Sequence, residues 1–198
     1  MILGITGAFG CGKSAVLAVF SASPRWEVAD ADALCHQLYA DPAGELAGAI
    51  RERWGPAVIA ADGSVNRAAV GKIVFADPAE LEFLNKMLHP LVIREVERRI
   101  AECRFAGKHG AFEIPLLYEA GFADRFDAVA AVWAAPEIRH ARLARLRGFT
   151  SEEIRRREAR QLSPDLKLER ADYALINNGS REELELQTKN LIHQLEDL

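Results

Sequence analysis

Short, continuous apolar runs alternate along this chain with longer stretches in which apolar residues recur every three or four positions. Ile2-Leu3-Gly4-Ile5 has no polar member and reads as a buried strand, and Ala15-Val16-Leu17-Ala18-Val19-Phe20 reads as the helix that follows it. Ser23-Pro24 breaks that pattern, and Trp26-Glu27-Val28-Ala29 predicts a second strand ending at Asp30-Ala31-Asp32. Ala111-Phe112-Glu113-Ile114-Pro115 predicts a third strand, Ala128 to Trp133 a fourth and Tyr173-Ala174-Leu175-Ile176 a fifth, the last followed by the turn Asn177-Asn178-Gly179. Helices are predicted at Pro136–Arg147, Ser151–Gln161 and Arg181–Leu195. Strands alternating with helices imply an α/β fold with a mostly parallel five-stranded sheet.

Between the second and third strands the pattern changes. From Ala33 to Cys103 there is no convincing strand, but helical stretches at Ala33–Tyr39, Ala43–Trp54, Arg67–Phe75 and Ala79–Glu102, punctuated by Asp41-Pro42, Gly55-Pro56, Asp62-Gly63 and Asp77-Pro78. That is far more chain than an ordinary connection uses. The expected organisation is a core from 1–32 and 104–198, with an inserted helical domain at 33–103 that forms a second binding wall.

Gly7-Ala8-Phe9-Gly10-Cys11-Gly12-Lys13-Ser14 fits G-x-x-x-x-G-K-[ST], between the first strand and the first helix, where that motif forms a phosphate-binding loop. Gly7, Gly10 and Gly12 permit positive φ and close approach of backbone N–H groups to phosphate oxygens. The helix start adds unpaired N–H groups and the positive end of its dipole. Lys13 is expected to reach the β- and γ-phosphates of ATP, and the Ser14 hydroxyl to ligate Mg²⁺. The alternative, a glycine-rich turn with an incidental Lys-Ser, leaves the complete motif unexplained. Ala15 stands where many such loops carry a second hydroxyl.

Asp32 lies at the mouth of the second strand, where a carboxylate could orient an acceptor hydroxyl and take its proton. The competing reading is that Asp30 or Asp32 caps the helix that follows. Glu113 could orient a Mg²⁺-bound water or pair with an arginine, and His89, inside a helical pattern, could be a core histidine.

Composition changes the picture little. The chain has 198 residues, 49% of them hydrophobic and 27% charged, as an ordered globular domain requires. No apolar run approaches a membrane span, and the expected location is cytoplasmic. The net charge of −4 makes no case for nucleic-acid binding, and nothing points to an obligate protein partner. Charge distribution says more: from Pro136 to Arg170 there are ten Lys or Arg against six Asp or Glu, a local +4 that leaves −8 elsewhere. Arg139, Arg142 and Arg145, then Arg147-Gly148 and Arg155-Arg156-Arg157, suggest a lid at about 136–170 whose guanidinium groups meet phosphate. The alternative is a solvated face with Glu152–Arg156 and Glu153–Arg157 pairs. Cys11, Cys35 and Cys103 have no metal or disulfide spacing. Asp41-Pro42-Ala43-Gly44 and Asn85-Lys86-Met87-Leu88 lack the context of guanine-reading motifs.

Taken together, these elements resemble the dephospho-coenzyme A kinase family. Besides the phosphate loop, Asp30-Ala31-Asp32 with His36 is similar to the family's D-A-D-x-x-x-H, Leu88-His89-Pro90 to its H-P element, and Ile114-Pro115-Leu116-Leu117-Tyr118-Glu119 to V-P-L-L-[FY]-E. Arg157 with Gln161 resembles R-x-x-x-Q, and Ala171-Asp172-Tyr173 through Asn177-Asn178-Gly179 resembles A-D-Y-x-I-x-N-x-G. The resemblance implies a P-loop kinase fold with an ATP-binding core, an inserted helical domain that receives dephospho-coenzyme A, and an arginine-bearing lid. It implies transfer of the γ-phosphoryl group of ATP, with Mg²⁺, to a ribose 3′-hydroxyl, Asp32 being the base. The ATP site would comprise Gly7, Gly10, Cys11, Gly12, Lys13, Ser14 and Ala15 with Arg142 and Arg147, and the acceptor site Asp32, His36, His89, Pro115 and Leu116. Ala15 and Leu146-Arg147-Gly148 depart from the family's usual hydroxyl and Arg-Asp. A nucleoside or nucleotide kinase, and a non-catalytic ATP-dependent switch, are the alternatives.

Overall fold

The computed structural model describes residues 1–197. It divides into two compact units, one of Met1–Asp30 with the residues from Ile100 on, the other of Ala31–Arg99.

The first unit is built on five strands, β1 (Ile2–Gly7), β2 (Trp26–Asp30), β3 (His109–Glu113), β4 (Ala128–Trp133) and β5 (Tyr173–Ile176), all paired parallel in the order β2-β3-β1-β4-β5. β1 is central and buried throughout, which is why it reads as an unbroken apolar run rather than an alternation. On one face Leu3, Ile5, Ala130 and Val132 pack with Val16 and Phe20 of α1 (Lys13–Ser21) and with Leu184, Leu191 and Leu195 at the C-terminal helix. On the other, a Cβ at Gly4 would stand 2.7 Å from Leu117 and 3.0 Å from the Phe126 ring, so a glycine there lets the Leu117–Phe126 segment lie flat on the sheet. Because the strands are parallel, their C-terminal ends share an edge, and the register aligns Ile5 and Asp30 with Glu113 on either side of it.

The second unit holds α2 (Ala31–Ala40), α3 (Glu45–Trp54), α4 (Arg67–Ala76) and the start of α5 (Pro78–Phe105), the long helix that runs on into the first unit. Leu46, Ile50, Val58, Val70, Val74, Leu84 and Leu91 form its core. The turn at Asp62-Gly63 closes a single antiparallel bridge between Ile59 and Val65.

After β4 come α6 (Pro136–Arg147), α7 (Ser151–Glu158), α8 (Pro164–Arg170) and, beyond β5, α9 (Arg181–Glu196). Three differences from the sequence reading have local causes. The third strand occupies 109–113 rather than 111–115, because its ladder begins where His109 donates to Arg25 and Gly110 to Met1. α7 stops at Glu158, three residues short of Gln161. α8 was not expected at all; Ser163 caps it by accepting from the Leu166 N–H, with Pro164 in its first turn.

Candidate active site

The loop from Gly7 to Ser14 takes the shape its glycines allow. Gly7, Gly10 and Gly12 have φ of 148°, 79° and 101°, and a Cβ at Gly7 would come within 2.3 Å of the Val132 carbonyl. α1 starts at Lys13 with no side chain capping its N-terminus, so its first N–H groups remain for an anion. Lys13 is buried, its Nζ donating to the carbonyls of Gly7 (3.2 Å) and Ala8 (3.1 Å). The ammonium is therefore held over the loop by two of its three donors.

Ser14 is exposed, and its hydroxyl donates at 3.5 Å to the buried Glu113 carboxylate at the end of β3. With Asp30 in register beside Glu113, this edge offers hard oxygen donors next to a phosphate loop, a chemistry that suits Mg²⁺. Burial pushes the Cys11 thiol pKa up, more than Lys13 pulls it down, so Cys11 is a buried thiol and a filler of the loop. Ala15 packs against the core and lines a groove between α1 and α9 with Ala18, Val19 and Ile192; a hydroxyl at this position would face that groove.

The basic segment divides into separate tasks rather than a single arginine face. Arg139 is buried, donates from Nε to Ala134 (3.1 Å) and from Nη1 to the Phe9 carbonyl (3.0 Å), and pairs with Glu158. Arg142 donates to the carbonyls of Asn177 (2.8 Å) and Gly179 (3.1 Å), the loop that follows β5. Arg145 and Arg147 are exposed. Arg147 ends α6, and Gly148 after it adopts φ 67° as its C-cap. Glu153, with Arg157 only an electrostatic neighbour, closes a capping box with Thr150 at the start of α7. Arg157 instead lies over the rings of Phe9 (5.1 Å) and Phe149 (4.9 Å), while Gln161 accepts from the Phe9 N–H at 3.1 Å.

Pro115 and Leu116 begin the turn after β3. The Pro115 carbonyl accepts from Thr6 Oγ1 (3.3 Å) and Lys167 Nζ (2.6 Å), and the Leu116 side chain is partly exposed. In the second unit, Asp32 is the second residue of α2, inside its first turn, so the capping alternative for it falls; Asp30 occupies the position before the helix. Asp32 and His36 are both exposed and lie one helical turn apart. His89 is exposed beside Pro90 within α5, which corrects the reading of it as a core histidine. Among the described residues no group of three His, Cys, Asp or Glu side chains forms a metal cluster, and no helix is long and apolar enough to cross a membrane.

Sequence reasoning assigned no individual task to Asn177, whose Nδ2 donates to the Cys11 carbonyl, nor to Gln161, Lys167 and Glu119, and it grouped Arg139 with the arginines that meet phosphate, whereas that side chain is buried on backbone carbonyls and Glu158. Asn177-Asn178-Gly179 was legible as a turn and as part of a motif, and the others only as charges or as parts of a motif.

The family model described as CoaE, dephospho-CoA kinase, matches residues 1–183. The dephospho-CoA kinase of Symbiobacterium thermophilum is 39% identical over 180 residues, covering 90% of this chain and 74% of that protein. That of Enterococcus faecalis is 36% identical over 193 residues, 98% of this chain and 96% of its own length. Among solved structures, TT1252 from Thermus thermophilus superposes with a TM-score of 0.78 at 33% identity, covering 98% of this chain and 97% of that one.

Proposed function

The chain belongs to the dephospho-CoA kinase family and catalyses the ATP-dependent phosphorylation of dephospho-CoA to CoA, and from that premise we propose how its residues divide the work. The observation that carries the proposal is the phosphate loop with its three left-handed glycines, uncapped helix start and buried Lys13.

The N–H groups of the loop, apart from those of Phe9 and Cys11, which donate to Gln161 and Ala8, and those at the start of α1 receive the β- and γ-phosphates of ATP. Lys13 adds its charge there by turning its third donor, or one of the two spent on Gly7 and Ala8, toward them. Gly7, Gly10, Cys11, Gly12, Ser14 and Ala15 supply the backbone of this site. Ser14 and, behind it, Glu113 hold the Mg²⁺ that accompanies ATP. That ion would supply positive charge to offset the charge on the phosphates.

Asp32 receives the proton of the ribose 3′-hydroxyl of dephospho-CoA as that oxygen attacks the γ-phosphorus. Its support is position: exposed, in the first turn of the helix that directly follows β2, one turn from His36. The unit Ala31–Arg99 carries His36 and His89, exposed on its helices, as acceptor-binding residues, and the turn after β3 in the first unit carries Pro115 and Leu116 in the same role. Arg142 and Arg147, in the lid at 136–170, act on the triphosphate. The chain works in aqueous surroundings as a cytoplasmic enzyme.

The test is turnover with Mg-ATP against a panel of acceptors. ADP should form at the expense of dephospho-CoA, with the new phosphate on its ribose, and not with free nucleosides. Phosphorylation of a nucleoside in preference to dephospho-CoA would support the nucleoside-kinase reading. ATP binding with no acceptor turnover would support a switch.

A further inference from the structure

Lys167 is a buried cation that none of these roles uses. Its side chain is 0% exposed, yet it carries an ammonium group into the core of the first unit. Burial pushes its pKa down, and the Glu119 carboxylate, 2.8 Å away, pulls it back up. Replacing a buried ion pair with apolar side chains of similar volume is often neutral or stabilising, so folding alone does not account for a lysine here. Its partners do.

Nζ donates to the Pro115 carbonyl at 2.6 Å, two residues past the end of β3, where the turn begins. The same carbonyl accepts from Thr6, the residue before the first glycine of the phosphate loop. Glu119 Oε1, paired with Lys167, also accepts from the Leu162 N–H at 2.8 Å. Leu162 follows Gln161, whose side chain accepts from the N–H of Phe9 at the tip of the phosphate loop. The chain of contacts Thr6, Pro115, Lys167, Glu119, Leu162, Gln161, Phe9 is thus closed on the loop at both ends, with one ion pair at its centre.

We propose that Lys167 is a positioning residue for phosphoryl transfer: with Glu119 it fixes the Pro115–Leu116 turn against the phosphate loop, so that the acceptor wall and the donor loop keep one mutual geometry. The assignment of the acceptor to Pro115 and Leu116 is the reading given above, and the inference rests on it. Lys167 touches no substrate. It acts through the Pro115 carbonyl and, by way of Glu119, through the backbone of Leu162.

The double variant K167M/E119L removes both charges and fills the space with apolar atoms. It is expected to fold, to melt within a few degrees of the parent and to keep its KM for ATP. Its kcat is expected to fall on the order of 10–100-fold, as for a reacting group displaced by about an ångström, with a rise in the KM for dephospho-CoA. The milder E119Q, which keeps an oxygen for Leu162 and Lys167, should show the same split to a smaller degree and carries the test if the double variant does not fold. Parent-like kcat and KM in a folded variant overturn the proposal, as does a change confined to the KM for ATP. Leu116→Ala tests the underlying reading separately. If it leaves the KM for dephospho-CoA unchanged, the acceptor assignment fails, whatever Lys167 does.

Discussion

Asn177 Nδ2 donates to the carbonyl oxygen of Cys11 at 2.8 Å, joining residues 166 positions apart in the chain. Because the Cys11–Gly12 peptide is planar and trans, a carbonyl held toward Asn177 turns the Gly12 N–H to the opposite side, the side on which the loop receives phosphate. The fit is close: a Cβ on Gly12 would lie 2.3 Å from that same Nδ2. Asn177→Asp replaces the donor with an acceptor facing a carbonyl. A lost, buried hydrogen bond costs about 1–3 kcal/mol, so the KM for ATP is expected to rise roughly 5- to 150-fold, with the KM for dephospho-CoA little changed. Steady-state kinetics with each substrate varied in turn checks it; equal effects on both KM values would mean that the side chain does not act through the loop.

Lys13→Ala is expected to abolish measurable turnover. The variant loses the one side-chain charge poised over the loop, and the carbonyls of Gly7 and Ala8 lose its two donors. Initial rates of ADP formation at saturating dephospho-CoA provide the measurement, and substantial activity would show that the loop is not the donor site.

Arg142→Ala is expected to lower kcat more than it raises the KM for ATP. Arg142 bridges two carbonyls of the loop that carries Asn177, and a contact that tightens as the γ-phosphoryl moves is felt in kcat. A pure KM effect would assign it to ground-state binding of ATP.

Cys11 is expected to be unreactive in the folded protein. The thiolate is the reactive form, and because burial raises the thiol's pKa, the thiolate fraction at neutral pH lies below that of a free cysteine and grows only as pH rises. Iodoacetamide near pH 7 should therefore leave activity intact, with Cys11 alkylated only after unfolding. Activity loss that tracks modification of Cys11 at that pH would contradict this.

How much of this was visible in the chain follows from how far each interaction reaches. β4 was bounded correctly because a buried parallel strand is written as an unbroken apolar run, β5 because its four apolar residues end at the turn Asn177-Asn178-Gly179, and the phosphate loop because its glycines and Lys-Ser are contiguous. α8 was missed because its seven residues carry only two leucines, although Ser163-Pro164 was a readable start signal. Asn177 and Lys167 were missed for another reason. Their partners are backbone carbonyls 166 and 52 residues away, and a carbonyl leaves no mark on the sequence at the position where it accepts. Arg139, Arg142 and Arg145 of α6 show the converse: a helical spacing of three predicts a shared face, but the packing sends Arg139 into the core and leaves Arg145 in water.

The central claim, that Asp32 takes the acceptor proton, is tested most directly by the single-turnover and steady-state kinetics of Asp32→Asn. Asparagine keeps the size of the side chain and its place in the first turn of α2, and removes its charge and its capacity to accept a proton. Loss of a general base costs on the order of 10²–10⁴-fold, so kcat should fall by that much while ATP binds as well as before or slightly more tightly. Near-normal kcat in a folded Asp32→Asn enzyme would contradict the account and leave Asp32 as a favourable charge at a helix N-terminus.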